Sequence, residues 1–231
     1  MDTLSLILDV FGPLGGRRLL DVGCGPGALA RALAARGAEV TGIDPNPDAI
    51  AAAAASVPTG RFATAAAGAL PFPDAGFDGA VFLNSLHHIP DPHAALREAA
   101  RVVRPDHPIV VVEPLADGTF FSALRPVEDE TAVRLEAQEA VRAAVGSGAF
   151  ASRRDVTFAR SETFESVDAF LARVVAVDPA RADAIRLRRP EIEAAFEAAA
   201  ERDAAGLFLL VQPLRAQVLV AARTGKAAPG P

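Results

Sequence analysis

The sequence predicts an α/β fold, a mostly parallel sheet covered by helices on both faces. Three observations carry that expectation. Apolar, β-branched bursts alternate with segments of helical spacing between residues 18 and 115, the pattern of successive βαβ units. The first burst, RLLDV, runs straight into the glycine turn GCGPG, and a helical segment follows at once. The last, PIVVVEPL over 108–115, is almost continuously apolar, as strands buried on both faces are.

Each element has a local reason. The opening MDTLSLILDVFGPLGG is apolar, but Asp2 and Asp9 interrupt it and no basic leader precedes it, so it reads as an amphipathic helix and not as a signal peptide. After the glycine turn, ALARALAARG puts Leu29 and Leu33 on one helical face and stops at Gly37. AEVTGID is a second strand ending in Asp44. Asn46 then caps a helix that Pro47 opens and the alanine run at 51–55 continues. RFATAA predicts a third strand and FDGAVFLNS a fourth. Asp91 and Pro92 open a helix that Pro105 stops, ahead of the fifth strand. Beyond Pro114 the pattern loosens to a helix over 126–145, a strand over 153–164, helices over 166–176 and 189–204, and a last strand over 212–223. The expected organisation is one domain over 1–223, with helical lid elements at 1–15, 115–150 and 166–204 and a frayed, breaker-rich tail at 224–231.

Composition narrows the function. With 231 residues, 51% hydrophobic and 23% charged, the chain is long and apolar enough to bury a core. A net charge of −6 argues against a nucleic-acid backbone binder, which needs clustered positive charge. No apolar run reaches the roughly 20 residues of a membrane span. One cysteine excludes a disulfide framework or a thiolate zinc cluster and fits a reducing, cytoplasmic setting.

The chemistry concentrates at Asp21-Val22-Gly23-Cys24-Gly25-Pro26-Gly27. A strand that ends in such a turn and opens a helix gathers backbone N–H groups around a small volume, an arrangement suited to an anionic group. The spacing departs from the G-x-G-x-x-G of dinucleotide binders, because Ala28 follows the alternating glycines. Asp44, closing the second strand, stands where doubly wound sheets keep an acid for ribose hydroxyls; the alternative is a plain helix cap.

At these residues the sequence resembles the class I S-adenosylmethionine-dependent methyltransferases, in particular the small-molecule group that includes the quinone-biosynthesis methyltransferases. LLDVGCGPG is similar to that family's first motif and GIDPN to its ribose-binding acid. LPFPDAGFDGAVFLNSLHHIPDP and EAARVVRPDHPIVVVEP resemble the stretches through its fourth and fifth strands. The resemblance covers about residues 15 to 115 and implies a doubly wound, Rossmann-like methyltransferase sheet with a C-terminal antiparallel strand. It implies S-adenosylmethionine as cofactor, with Gly23 and Gly25 approaching the methionine moiety beside Cys24. Asp21 would orient the cofactor amino group, Asp44 bind the ribose, Pro45 lie beside the adenine, Asn84 meet the methionine part, and the Ala67 N–H face the ring. One departure stands out. Aligned on Leu70-Pro71-Phe72, Ala66 and Gly68 occupy positions where many relatives carry acids, so the acceptor for the adenine amino group is missing.

His87, His88 and His93 cluster after the fourth strand, but no cysteine joins them and no metal is assigned. For His87 and His88 two readings stand, packing and a general base. Glu113, at the end of the fifth strand, either accepts a substrate proton or caps the next loop. Cys24 reads as packing. Methyl transfer from a sulfonium asks the protein mainly to align donor and acceptor, so the acceptor, a small molecule, stays unidentified. Phe120, Phe121, Phe150, Phe164 and Phe170 line its pocket or simply form core. The rival readings are a non-catalytic S-adenosylmethionine-binding module and a nicotinamide-dependent oxidoreductase.

Overall fold

The computed structural model describes residues 2–222, so the expected tail at 224–231 and Arg223 of the expected last strand lie outside the described residues. In chain order the elements are α1 Thr3–Phe11, β1 Arg18–Val22, α2 Ala28–Ala34, β2 Glu39–Asp44, α3 Pro47–Ser56, β3 Arg61–Thr64, β4 Gly79–Leu83, a 3-10 turn Leu86–His88, α4 Pro92–Val102 and β5 Ile109–Pro114. There follow α5 Thr119–Leu124, α6 Thr131–Gly146, β6 Phe150–Phe164, α7 Val167–Val177, α8 Arg181–Leu187, α9 Arg189–Ala199, β7 Glu201–Arg202 and β8 Phe208–Ala221.

The strands lie in the order β3-β2-β1-β4-β5-β8-β6, with β7 on β8. The pairings among β1 to β5 are parallel, and β7 is antiparallel to β8. The order reverses between β1 and β4, and at such a switch point the carboxyl ends of a parallel sheet open a crevice for ligands.

Contacts divide the chain into two compact units, Met1–Glu113 with Glu136–Val156 and Ala216–Pro231, and Pro114–Leu135 with Thr157–Arg215. In the first, parallel register lines up Leu20, Ala80 and Ile109, and beside them Val22, Ile43, Phe82 and Val111, on one sheet face. These pack with Ala95, Leu96, Ala99 and Val102 of α4 and Ala137, Ala140 and Val141 of α6. Each large side chain so buried stabilises by roughly 1.5–3 kcal/mol. On the opposite face Phe11 of α1 covers Gly79, where a Cβ would lie 2.2 Å from the ring. Asn46 and Asp91 cap as the sequence predicts, Asn46 accepting from Asp48 and Ala49 and Asp91 from Ala94, and Asp2 is a further cap, accepting from Ser5.

The second unit has its own core, with Phe170 edge-on to both Phe120 and Phe164 at 5.5 Å and tilted on Phe196 at 5.3 Å. Phe120, Phe164 and Phe170 are therefore core side chains, as Phe150 is in the first unit. Here the sequence pattern is least complete. The expected helix over 126–145 begins at Thr131 and is preceded by the separate α5; the helix expected to run to 204 ends at Ala199; and α8 is an addition. α5 and α8 span six and seven residues, too short for a 3.6-residue period to declare itself.

Candidate functional site

The carboxyl ends of β1, β2 and β4 bring Asp21, Gly23, Cys24, Gly25, Asp44 and Asn84 together within the first unit. Each glycine has its own reason. Gly23 has φ +72, and a Cβ there would lie 2.5 Å from the Ser85 Cβ. Its smallness therefore serves the packing of the turn on Ser85, whose hydroxyl donates to the Val22 carbonyl at 2.6 Å. Ser85 is a site residue that sequence reasoning passed over. At Gly25, φ +50, a Cβ would meet nothing within 4 Å, so this is the glycine with open space before it.

The N–H groups of the turn itself are engaged within the protein. Gly23 and Cys24 both donate to the Ile43 carbonyl, at 2.8 and 2.9 Å, and Gly27 donates to Cys24. Gly25 donates to Asp44 Oδ2 at 3.0 Å. Pro26 has no N–H, so the turn spends its donors on β2 and on itself. The site offers acceptors instead. Asp21 Oδ2 and Asn84 Oδ1 are buried and accept no hydrogen bond among the described residues. A buried acceptor left in that state costs about 1–3 kcal/mol, a cost that a ligand donor removes. These two acceptors suit a ligand group that carries N–H donors.

Asp21 is 2% exposed. Burial, opposed by the Ala30 N–H and reinforced by the Asp44 charge, pushes its carboxyl up to about 7. Burial together with Asp21 and Asp44 pushes the Cys24 thiol up to about 12, so at neutral pH it is a thiol and no nucleophile. Its Sγ lies 2.8 Å from where a Cβ on Gly42 would stand, which makes the two positions one packing unit. Asp44 holds Gly25 through Oδ2 and the Asn46 N–H, at 2.9 Å, through Oδ1. Its carboxylate is half-buried, and Pro45 beside it is exposed. After β3 the Ala65 N–H donates to the Asp44 carbonyl at 3.2 Å, Ala66 is exposed and Ala67 is buried. Asn84 sits at φ +51, a conformation asparagine tolerates better than most residues, and its N–H continues the ladder to Val112 at 2.8 Å.

Glu113 is 1% exposed and clamps the turn after β4. Its Oε1 accepts from the N–H groups of Ser85 at 2.9 Å and Leu86 at 2.8 Å, and its Oε2 engages His87 Nδ1. The loop that Glu113 holds is the turn after β4 and not the loop that follows it in the chain, which the sequence reading expected. His87 is buried; His88 is exposed, and their rings lie 3.9 Å apart.

Comparison with known proteins agrees with this geometry. Residues 20–111 match the family described as Methyltransferase domain. The ubiquinone biosynthesis O-methyltransferase of Alkalilimnicola ehrlichii is 38% identical over 107 residues, 44% of this chain and 43% of that protein. The chain spans less than half the length of the curated relatives it matches. Among solved structures, a putative methyltransferase from Bacillus halodurans superposes with TM-score 0.66 at 17% identity, over 94% of this chain and 98% of the other. The [4+2]-cyclase SpnF superposes with TM-score 0.58 at 25% identity, over 92% and 79%. No helix among the described residues is long and apolar enough to cross a membrane. By sequence, residues 20–111 are thus similar to the Methyltransferase domain family, and the chain shares the α/β fold of the solved structure from Bacillus halodurans.

Proposed function

We propose that the chain is an S-adenosylmethionine-dependent methyltransferase acting on a small-molecule acceptor. The observation that carries this reading is the pair of partnerless buried acceptors, Asp21 Oδ2 and Asn84 Oδ1, beside a glycine turn with no free N–H groups. A ligand amino group supplies the donors that these two acceptors lack. Asp21 and Asn84 would accept from that amino group. Asp44 would take ribose hydroxyls on the lone pairs its two backbone bonds leave. Pro45 and the backbone at Ala66 and Ala67 would flank the adenine, and Cys24 and Gly23 would shape the turn behind Gly25. Bound S-adenosylmethionine supplies a methyl group on a sulfonium, already activated for displacement.

What the chain adds is alignment, exclusion of water and, for a protonated acceptor, a base. Glu113 is the positioning residue. By holding Nδ1 of His87 it directs the ring's lone pair to Nε2, and His87 takes the acceptor proton there, with His88 packed against it. Relatives named as O-methyltransferases support a small acceptor, and the lone buried thiol accords with the cytoplasm.

A second reading is a fold that binds the cofactor without transferring its methyl group. It draws on the similarity to a structure named as a cyclase and on the absence of an acid at Ala66. Incubation with methyl-labelled S-adenosylmethionine and a metabolite extract separates the two. Label in a small molecule supports transfer; saturable binding with no label transferred supports the second.

A further inference from the structure

The second unit holds a half-buried cation that its own residues leave incompletely neutralised. Along the later part of β6, burial alternates, so Arg160 and Glu162 are half-buried between exposed neighbours. Arg160 Nε and Glu162 Oε1 lie 3.0 Å apart, yet both atoms are buried and neither makes a hydrogen bond. They are close in charge and misaligned in direction. Glu162 is also shared, because its Oε2 lies 3.3 Å from Arg173 Nε of α7. Two guanidinium groups thus face one carboxylate.

The nearby Arg134 gives no relief, being a further positive charge already engaged elsewhere. It bonds Glu130 Oε2 through Nε and Nη2 at 2.9 and 2.6 Å, and the Leu115 carbonyl and Gln212 through Nη1. Burial and the charges of Arg173 and Arg134, against the pull of Glu162, hold the Arg160 guanidinium below its ordinary proton affinity. A second carboxylate would reverse that pressure, and guanidinium and carboxylate match as a two-pronged pair. The apolar side is present as well: the Arg160 guanidinium lies 5.9 Å from the centroid of the Phe120 ring.

We infer that Arg160 is an anion-binding residue and that its ligand is a small aromatic acid, with the carboxylate on the Arg160 guanidinium and the ring near Phe120.

Benzoate, benzamide and acetate titrated calorimetrically into the intact protein test the inference. Benzoate should bind about tenfold more tightly than benzamide, the worth of a charge-assisted bond, and more tightly than acetate. Arg160→Gln should abolish the preference for benzoate over benzamide. Glu162→Gln, which removes the competing carboxylate, should tighten benzoate severalfold and keeps the idea testable if the arginine variant folds poorly. Neither substitution should move the affinity for S-adenosylhomocysteine. Equal affinities for benzoate and benzamide, an undiminished preference in Arg160→Gln, or no benzoate binding would overturn the inference; parity with acetate would overturn its aromatic part. Failure of S-adenosylhomocysteine to bind, with the benzoate profile intact, would instead remove the methyl-transfer reading and leave the anion site standing.

Discussion

The Gly25 N–H donates to Asp44 Oδ2 at 3.0 Å, so the turn after β1 and the acid that ends β2 are one hydrogen-bonded unit. The acid both shapes the turn and faces the space in front of Gly25. Asp44→Ala should therefore weaken S-adenosylhomocysteine by about 10- to 100-fold, the loss of a charge-assisted acceptor. Isothermal calorimetry measures it, and wild-type affinity in the variant would reduce Asp44 to a support for Asn46.

Gly23 and Gly25 should part company when each is changed to alanine. Gly23→Ala combines a positive φ with a 2.5 Å clash against Ser85, so its melting temperature should fall by several degrees, about 2 kcal/mol or more of stability. Gly25→Ala meets no neighbour and costs only the left-handed strain, about 1 kcal/mol. Its defect should appear in cofactor binding. A reversed order in thermal denaturation would contradict the packing account of Gly23.

The Asp21 carboxyl, pushed by burial from the ordinary carboxylate range up to about 7, makes stability depend on pH. The folded ligand-free protein holds this proton when the unfolded chain has already lost it. Its contribution is fully present below about pH 4 and is lost as pH rises through about 7. Asp21→Asn should remove that slope and leave the variant more stable than wild type at pH 8, on the order of 1–4 kcal/mol at most. Urea titrations of both proteins at pH 5 and pH 8 read the difference. An unchanged difference between the two pH values would mean that the carboxylate stays ionised throughout.

His87→Gln should lower turnover at least 100-fold while leaving S-adenosylhomocysteine affinity unchanged, as expected for a base outside the cofactor contacts. Glu113→Gln should lower turnover less and also cost stability, because the turn from Ser85 to His87 loses a charged acceptor. Turnover and melting temperature of the two variants distinguish them: the larger loss of turnover belongs to His87, and the larger loss of stability belongs to Glu113.

What the sequence shows and what it hides follow from range. LLDVGCGPG and GIDPN were legible because a strand, a glycine turn and an acid at the next strand end are local patterns with fixed consequences. The caps at Asn46 and Asp91 were legible for the same reason. The fate of the turn's N–H groups was not, since their acceptor, the Ile43 carbonyl, lies on another strand. Nor was the clamp of Glu113 on the turn after β4, or the packing of Ser85 on Gly23, because each joins residues far apart in the chain. The second unit was hardest to read. α5 and α8 are too short to show a period, and the charge imbalance at Arg160 exists only once β6 and α7 are packed.

The central claim, that the turn after β1 and Asp44 hold S-adenosylmethionine, is tested most directly by calorimetric titration of the intact protein with S-adenosylhomocysteine and, separately, with NAD. The account predicts one S-adenosylhomocysteine per chain, lost or strongly weakened in Asp44→Ala, and no measurable NAD binding. Saturable NAD binding without S-adenosylhomocysteine binding would contradict it.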